Sequence, residues 1–91
     1  MSYKISTTRQ FEKSLKRCIK RGLDKDKLVV AIRLLAESGK LPSQYRSHKL
    51  VGKYAGLWEC HIEPDWLLVW RQNDAQLTLL LLDTGSHSDL F

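Results

Sequence analysis

The chain has 91 residues, 43% of them hydrophobic, and a formal net charge of +5 from 15 Lys and Arg against 10 Asp and Glu. That size fits one domain, residues 1–91, with one core. No apolar run approaches the roughly 20 residues that a membrane-spanning helix needs, so no such span is expected here.

The charge is unevenly placed. Residues 1–56 hold 14 basic and 4 acidic side chains, whereas residues 57–91 hold one basic residue, Arg71, and 6 acidic ones. A basic first half points to a polyanionic partner such as nucleic acid, an anionic membrane or an acidic protein. A plain solvated helix face is the competing reading of the same charges. Cys18 and Cys60 are the only cysteines, and the residues before Cys18 do not read as a signal peptide. Both are expected to be reduced and buried, in a cytoplasmic protein.

In chain order, Tyr3–Thr7 reads as a short strand. Thr7 followed by Gln10 fits the first and fourth positions of a capping box. Phe11, Leu15, Cys18 and Ile19 then recur at helical spacing, and Gly22 is a stop. The other face of this helix carries Lys13, Lys16, Arg17, Lys20 and Arg21. A second helix starts near Asp24 or Asp26, buries Leu28, Ile32, Leu35 and Ala36, and ends at Gly39. The short connection predicts an antiparallel helix pair. Residues 43–56 read as a loop broken by Gly52 and Gly56.

From there the period changes to two. Leu57–Ile62 puts Trp58, Cys60 and Ile62 on one face and Leu57, Glu59 and His61 on the other. Glu63-Pro64-Asp65 is a turn, and Trp66–Arg71 reads as a central strand. Asn73-Asp74 is the next turn, and Leu77–Leu82 is a strand buried on both faces. Short turns between consecutive strands give an antiparallel meander. The expected fold is α+β, an antiparallel sheet with an N-terminal helical hairpin on one face.

Trp58, Cys60 and Ile62 suit the helix-packed side, so Glu59 and His61 are expected on open sheet. Asp65 follows in the adjoining turn, His87 lies past the last strand, and His48 precedes the meander. Histidine titrates nearest neutrality, and two of them, or one with a carboxylate, supply an acid and a base. Such a set suits RNA cleavage: a base for the ribose 2′-OH, an acid for the departing 5′-oxygen and cations for the phosphate. Taken singly, each residue reads as an ordinary surface histidine or turn carboxylate. No C-x-x-C or H-x-x-x-H spacing exists, so no metal site and no cofactor are expected. The three tryptophans read as core.

Three segments resemble the YafQ-like branch of the RelE/ParE toxin superfamily. They are His48-Lys49-Leu50-Val51-Gly52, Glu59-Cys60-His61-Ile62 with Pro64-Asp65-Trp66-Leu67-Leu68, and Thr84-Gly85-Ser86-His87-Ser88-Asp89-Leu90-Phe91. The resemblance spans nearly the whole chain and implies a RelE-like fold and a toxin of a type II toxin–antitoxin pair. It implies cleavage of mRNA in the ribosomal A site, with His48, His61, Asp65 and His87 as catalytic positions. Glu59 and Phe91 match positions near the substrate, and the basic face Lys13, Lys16, Arg17, Lys20 and Arg21 becomes the expected rRNA contact. The implied partners are mRNA, the ribosome and a cognate antitoxin, expected to be a ribbon-helix-helix protein that alone carries operator DNA, with no membrane. In one departure, many relatives carry Arg where this chain has Asp83. An aspartate cannot neutralise a phosphate, so either another cation does so or the nuclease is weak. The second expectation is therefore a protein-binding module: a gyrase-directed ParE-like toxin, or a weakly active antitoxin partner and co-repressor.

Overall fold

The structure, a computed structural model, describes residues 2–91. Its elements are β1 (Lys4–Thr7), α1 (Arg9–Lys20), α2 (Lys25–Ser38), β2 (His48–Lys49), β3 (Trp58–Glu63), β4 (Trp66–Asn73), β5 (Thr78–Gly85) and α3 (His87–Leu90). The five strands form one sheet in the order β1-β5-β4-β3-β2. Strands β3 to β5 make the expected antiparallel meander, with β4 central in the sheet and β2 added at the β3 edge. Strand β1 pairs with β5 in parallel, from Lys4 opposite Thr78 to Thr7 opposite Leu81, and so closes one edge.

The helices end where local chemistry ends them. Thr8, not Thr7, caps α1: its backbone is extended and its hydroxyl accepts the Phe11 amide at 3.0 Å. Thr7 instead finishes β1. At the other end the Gly22 and Leu23 amides donate back to the Ile19 and Cys18 carbonyls, and Gly22 takes the left-handed conformation this return requires. Asp24 caps α2 through the Asp26 amide, and left-handed Gly39 terminates it.

The core lies between the helices and one sheet face. Phe11, Cys18, Leu28, Ala31 and Leu35 meet Cys60, Trp66, Leu68, Trp70, Leu79 and Leu81. Trp58 stacks on Trp70 with ring centroids 6.1 Å apart. On α1, Ser14 is buried where Ile19 was expected, and Ile19 is 43% exposed. The buried Trp66 indole donates to the Thr84 hydroxyl at 2.9 Å, and that hydroxyl donates to the Leu67 carbonyl at 2.7 Å. The indole and this hydroxyl thus find partners inside the core, as stability demands of buried polar groups.

Two features differ from the expected strands. Residues 43–56 are not a plain loop, because His48 and Lys49 pair with Glu59 and Trp58 as a short edge strand. Strand β5 also runs on to Gly85 and carries an irregularity: Trp70 is opposite Leu81, Val69 is opposite Asp83, and Leu82 is the extra residue. A bulge of this kind reverses the side-chain alternation. Thr84 therefore joins Leu79 and Leu81 on the core side, and Asp83 turns toward the other face. That face is only partly open. Leu50, Tyr54, Leu57, Val69, Leu82, Leu90 and Phe91 border a hollow of about 200 Å³ on it, so Leu82 is half-buried rather than enclosed.

Candidate active site on the outer face of the sheet

Strand register places the expected residues in two adjacent rows. One row runs His48, Glu59, Val69, Asp83 across β2, β3, β4 and β5. The next runs His61, Leu67, Gly85. The turn after His61 presents Asp65, and the turn after Gly85 presents His87 as the first residue of α3. Residues far apart in the chain thus meet because a meander folds its turns back on one another.

Asp65 and His87 form the tightest contact. Asp65 Oδ1 accepts the His87 backbone amide at 3.0 Å and lies 2.8 Å from its Nδ1. A carboxylate only accepts, so Nδ1 carries the proton and Nε2 points away free. These bonds, first that from the backbone amide and then that from the ring, hold the Asp65 carboxyl below its ordinary value. The His61 ring lies 5.9 Å from the His87 ring, centroid to centroid. Its Nδ1 donates to the Pro64 carbonyl at 3.3 Å, which leaves Nε2 with a lone pair. His61 also borders a second hollow of about 410 Å³ with Lys27, Val30, Gln44, Tyr45 and Ile62.

Helix α3 is short but firmly held. Ser86 and Asp89 form a capping box, and Arg21 clasps Asp89 with both guanidinium nitrogens at 2.6 and 3.1 Å. The Arg21 bonds, then the Ser86 amide, hold the Asp89 carboxyl far below the usual carboxylate range. Asp89 also lies over Gly85, where a Cβ would come within 2.8 Å of its Oδ2. Only glycine admits this approach. The Thr84-Gly85 motif therefore supports the site without entering it: Thr84 locks Trp66, and Gly85 seats the helix that carries His87.

Two expected residues sit differently from the open-face reading. Glu59 is 5% exposed, and its Oε1 lies 3.4 Å from His48 Nε2. Arg21 is committed to Asp89, whereas Lys13, Lys16, Arg17 and Lys20 are exposed along α1. Asp83 accepts the buried Ser14 hydroxyl at 2.5 Å and the Thr84 amide at 2.8 Å, which ties it to α1. Sequence reasoning passed over Tyr54. Its ring meets Phe91 edge-on at 5.2 Å, and the Lys53 ammonium stands 5.2 Å over it. An aromatic flanked by a lysine in a glycine-broken segment was the available signal.

Among the described residues, no three His, Cys, Asp or Glu side chains converge in a metal-binding cluster. Among those same residues, no helix is long and apolar enough to cross a membrane. The exposed α1 lysines and Arg17 offer a row of positive charge suited to phosphates. Binding to RNA through them should weaken linearly in log–log terms with salt, by roughly 0.7–0.9 of a power per phosphate contact. Ribosome sedimentation at increasing salt measures this slope, and a salt-insensitive affinity would remove α1 from the interface.

A histidine–carboxylate cluster, a candidate proton-transfer site, lies on the outer face of a helix-backed, five-stranded sheet in this small α+β protein. Residues 3–91 match the family described as "Bacterial toxin of type II toxin-antitoxin system, YafQ", and the chain belongs to that family. The mRNA interferase toxin YafQ of Escherichia coli K12 is 35% identical over 88 residues, covering 96% of this chain and 94% of that protein. The toxin in the crystal structure of the E. coli DinJ-YafQ toxin-antitoxin complex superposes with a TM-score of 0.89 at 34% identity, covering 100% and 99% of the two chains. A metal-bound toxin from Helicobacter pylori superposes at 0.88 with 38% identity over 100% of both chains.

Proposed function

We propose that this chain is the mRNA endoribonuclease of its toxin–antitoxin pair, acting on ribosome-bound message by acid–base chemistry that needs no metal. The contact of Asp65 with His87, with His61 alongside, carries the reading. His61 Nε2 bears the lone pair and is the general base for the ribose 2′-OH. His87 is the general acid: Asp65 holds its Nδ1–H, and the doubly protonated ring gives its Nε2 proton to the departing 5′-oxygen. The 2′-oxygen then attacks phosphorus, the P–O5′ bond breaks, and a 2′,3′-cyclic phosphate and a 5′-hydroxyl result. Phe91, 53% exposed, and Tyr54 present ring surface where a base could stack, worth roughly 1–3 kcal/mol per base. The basic α1 face docks on rRNA phosphates. The partner is an antitoxin, read here as a ribbon-helix-helix protein that covers this face and carries the operator DNA.

Induction without the antitoxin should halt translation, and mapping mRNA 5′ ends should reveal new cuts. Intact transcripts with blocked DNA replication would replace this reading with a gyrase-directed one. Because no step is assigned to a metal, EDTA should leave cleavage by the purified toxin on ribosomes unchanged once Mg²⁺ is restored to keep the ribosome intact. Activity that then returned only with a transition metal would overturn the metal-free mechanism.

A further inference from the structure

Glu59 and His48 form a second carboxylate–histidine pair, one row from the first. The arrangement of His48 is unusual in that both ring nitrogens face acceptors. Nδ1 lies 3.0 Å from the Arg46 carbonyl, which can only accept, and Nε2 lies 3.4 Å from the Glu59 carboxylate. Arg46 adopts a left-handed backbone, φ 51°, to turn that carbonyl back onto the ring. Glu59, in turn, is buried, and His48 is its only cationic partner within ion-pair distance among the described residues. A buried carboxylate without a compensating charge is strongly disfavoured. Both requirements are met together when the ring carries two protons.

We propose that Glu59 is a positioning residue that keeps His48 doubly protonated, and that the His48 imidazolium supplies the positive charge on the scissile phosphate. This rests on the nuclease reading above. It gives Glu59 a role behind His48 in place of contact with substrate. It also answers the departure at Asp83. That carboxylate ends the same cross-sheet row but is engaged by Ser14 and the Thr84 amide, so it leaves the phosphate to His48. The half-exposed His48 ring can reach a bound strand, whereas buried Glu59 cannot. Glu59 is the charged group facing His48; Asp83 ends the same row three strands away, and Arg46 and Lys49 are close in sequence. The Lys49 ammonium is drawn away over Trp58, 5.5 Å from the ring centroid.

The test pairs spectroscopy with cleavage. In ¹⁵N-histidine-labelled protein at neutral pH, both His48 ring nitrogens should give imidazolium shifts, and Glu59→Gln should return the ring to a neutral tautomer. On ribosome-bound mRNA, Glu59→Gln should lower kcat by about 10²-fold, the order seen when one preorganised charge-stabilising donor is lost. Glu59→Asp should recover most of that loss, and circular dichroism should show all variants folded. His48→Lys, which keeps a charge but offers no base at neutral pH, should cut faster than His48→Gln. A neutral His48 in the unmodified chain would overturn the role of Glu59. Equal inactivity of His48→Lys and His48→Gln would overturn the charge role. Failure of the unmodified toxin to cut any mRNA would instead refute the nuclease reading, while the ring shifts still decide the Glu59–His48 pairing.

Discussion

Replacing His87 with alanine should reduce mRNA cleavage by about 10²–10⁴-fold, the usual contribution of a positioned general acid, while the protein stays folded. The second half of that expectation follows from how α3 is held. The His87 side chain is 57% exposed and bonds only to Asp65. The anchors of the helix are elsewhere: the Arg21–Asp89 fork, the Ser86–Asp89 capping box and the His87 backbone amide on Asp65, none of which needs an imidazole. Kinetics on programmed ribosomes, with circular dichroism as the folding control, separate the two effects. A folded His87→Ala protein that cuts at the unmodified rate would leave proton transfer to His48, His61 and Asp65. Asp65→Asn should mimic the loss in part, because the ring would no longer have a charged acceptor to fix its tautomer.

Trp66→Ala should act on the fold instead. The indole is 1% exposed, central in the sheet and hydrogen-bonded to Thr84. Truncating a buried aromatic costs about 3–5 kcal/mol, a large share of the roughly 5–15 kcal/mol that stabilises a domain. The loss also strips the Thr84 hydroxyl of a donor beside Gly85, the residue on which α3 sits. A fall in Tm of roughly 15–30 °C is expected for a chain of this length. Thermal unfolding followed by circular dichroism measures it. A variant that melts within a few degrees of the unmodified protein would mean that the cavity collapses without loss, and that Trp66 is not the keystone of the core.

The sequence was most legible where a local rule governs. Gly22, Asp24 and Gly39 act through the backbone within a few residues of themselves, and they end or start the helices as expected. Alternation at Trp58, Cys60 and Ile62 predicts their packing against the helices, because a strand's period is independent of what it pairs with. The first cap was misplaced by one residue, since Thr7 and Thr8 offer the same hydroxyl and only the end of β1 decides between them. The burial of Ser14 in place of Ile19 depends on Asp83, 69 positions later in the chain.

By itself, then, the sequence determined the α+β class, the order of the two long helices and of β1, β3, β4 and β5, the basic first half and the set of side chains able to move protons. Each of these rests on composition, on period or on interactions between near neighbours. Only the tertiary structure decided which of those side chains meet, because contacts across strands depend on register, and register depends on turns and bulges. The pairing of His48 with Glu59 needs a two-residue edge strand that no pattern announces. The extra residue at Leu82 turns Thr84 into the core and Asp83 out of it, against simple alternation. The contact of Asp65 with His87 needs two turns at one end of the sheet to close on each other. Proton-transfer chemistry is written in residue types, but the division of labour among three histidines is set by what each ring nitrogen faces.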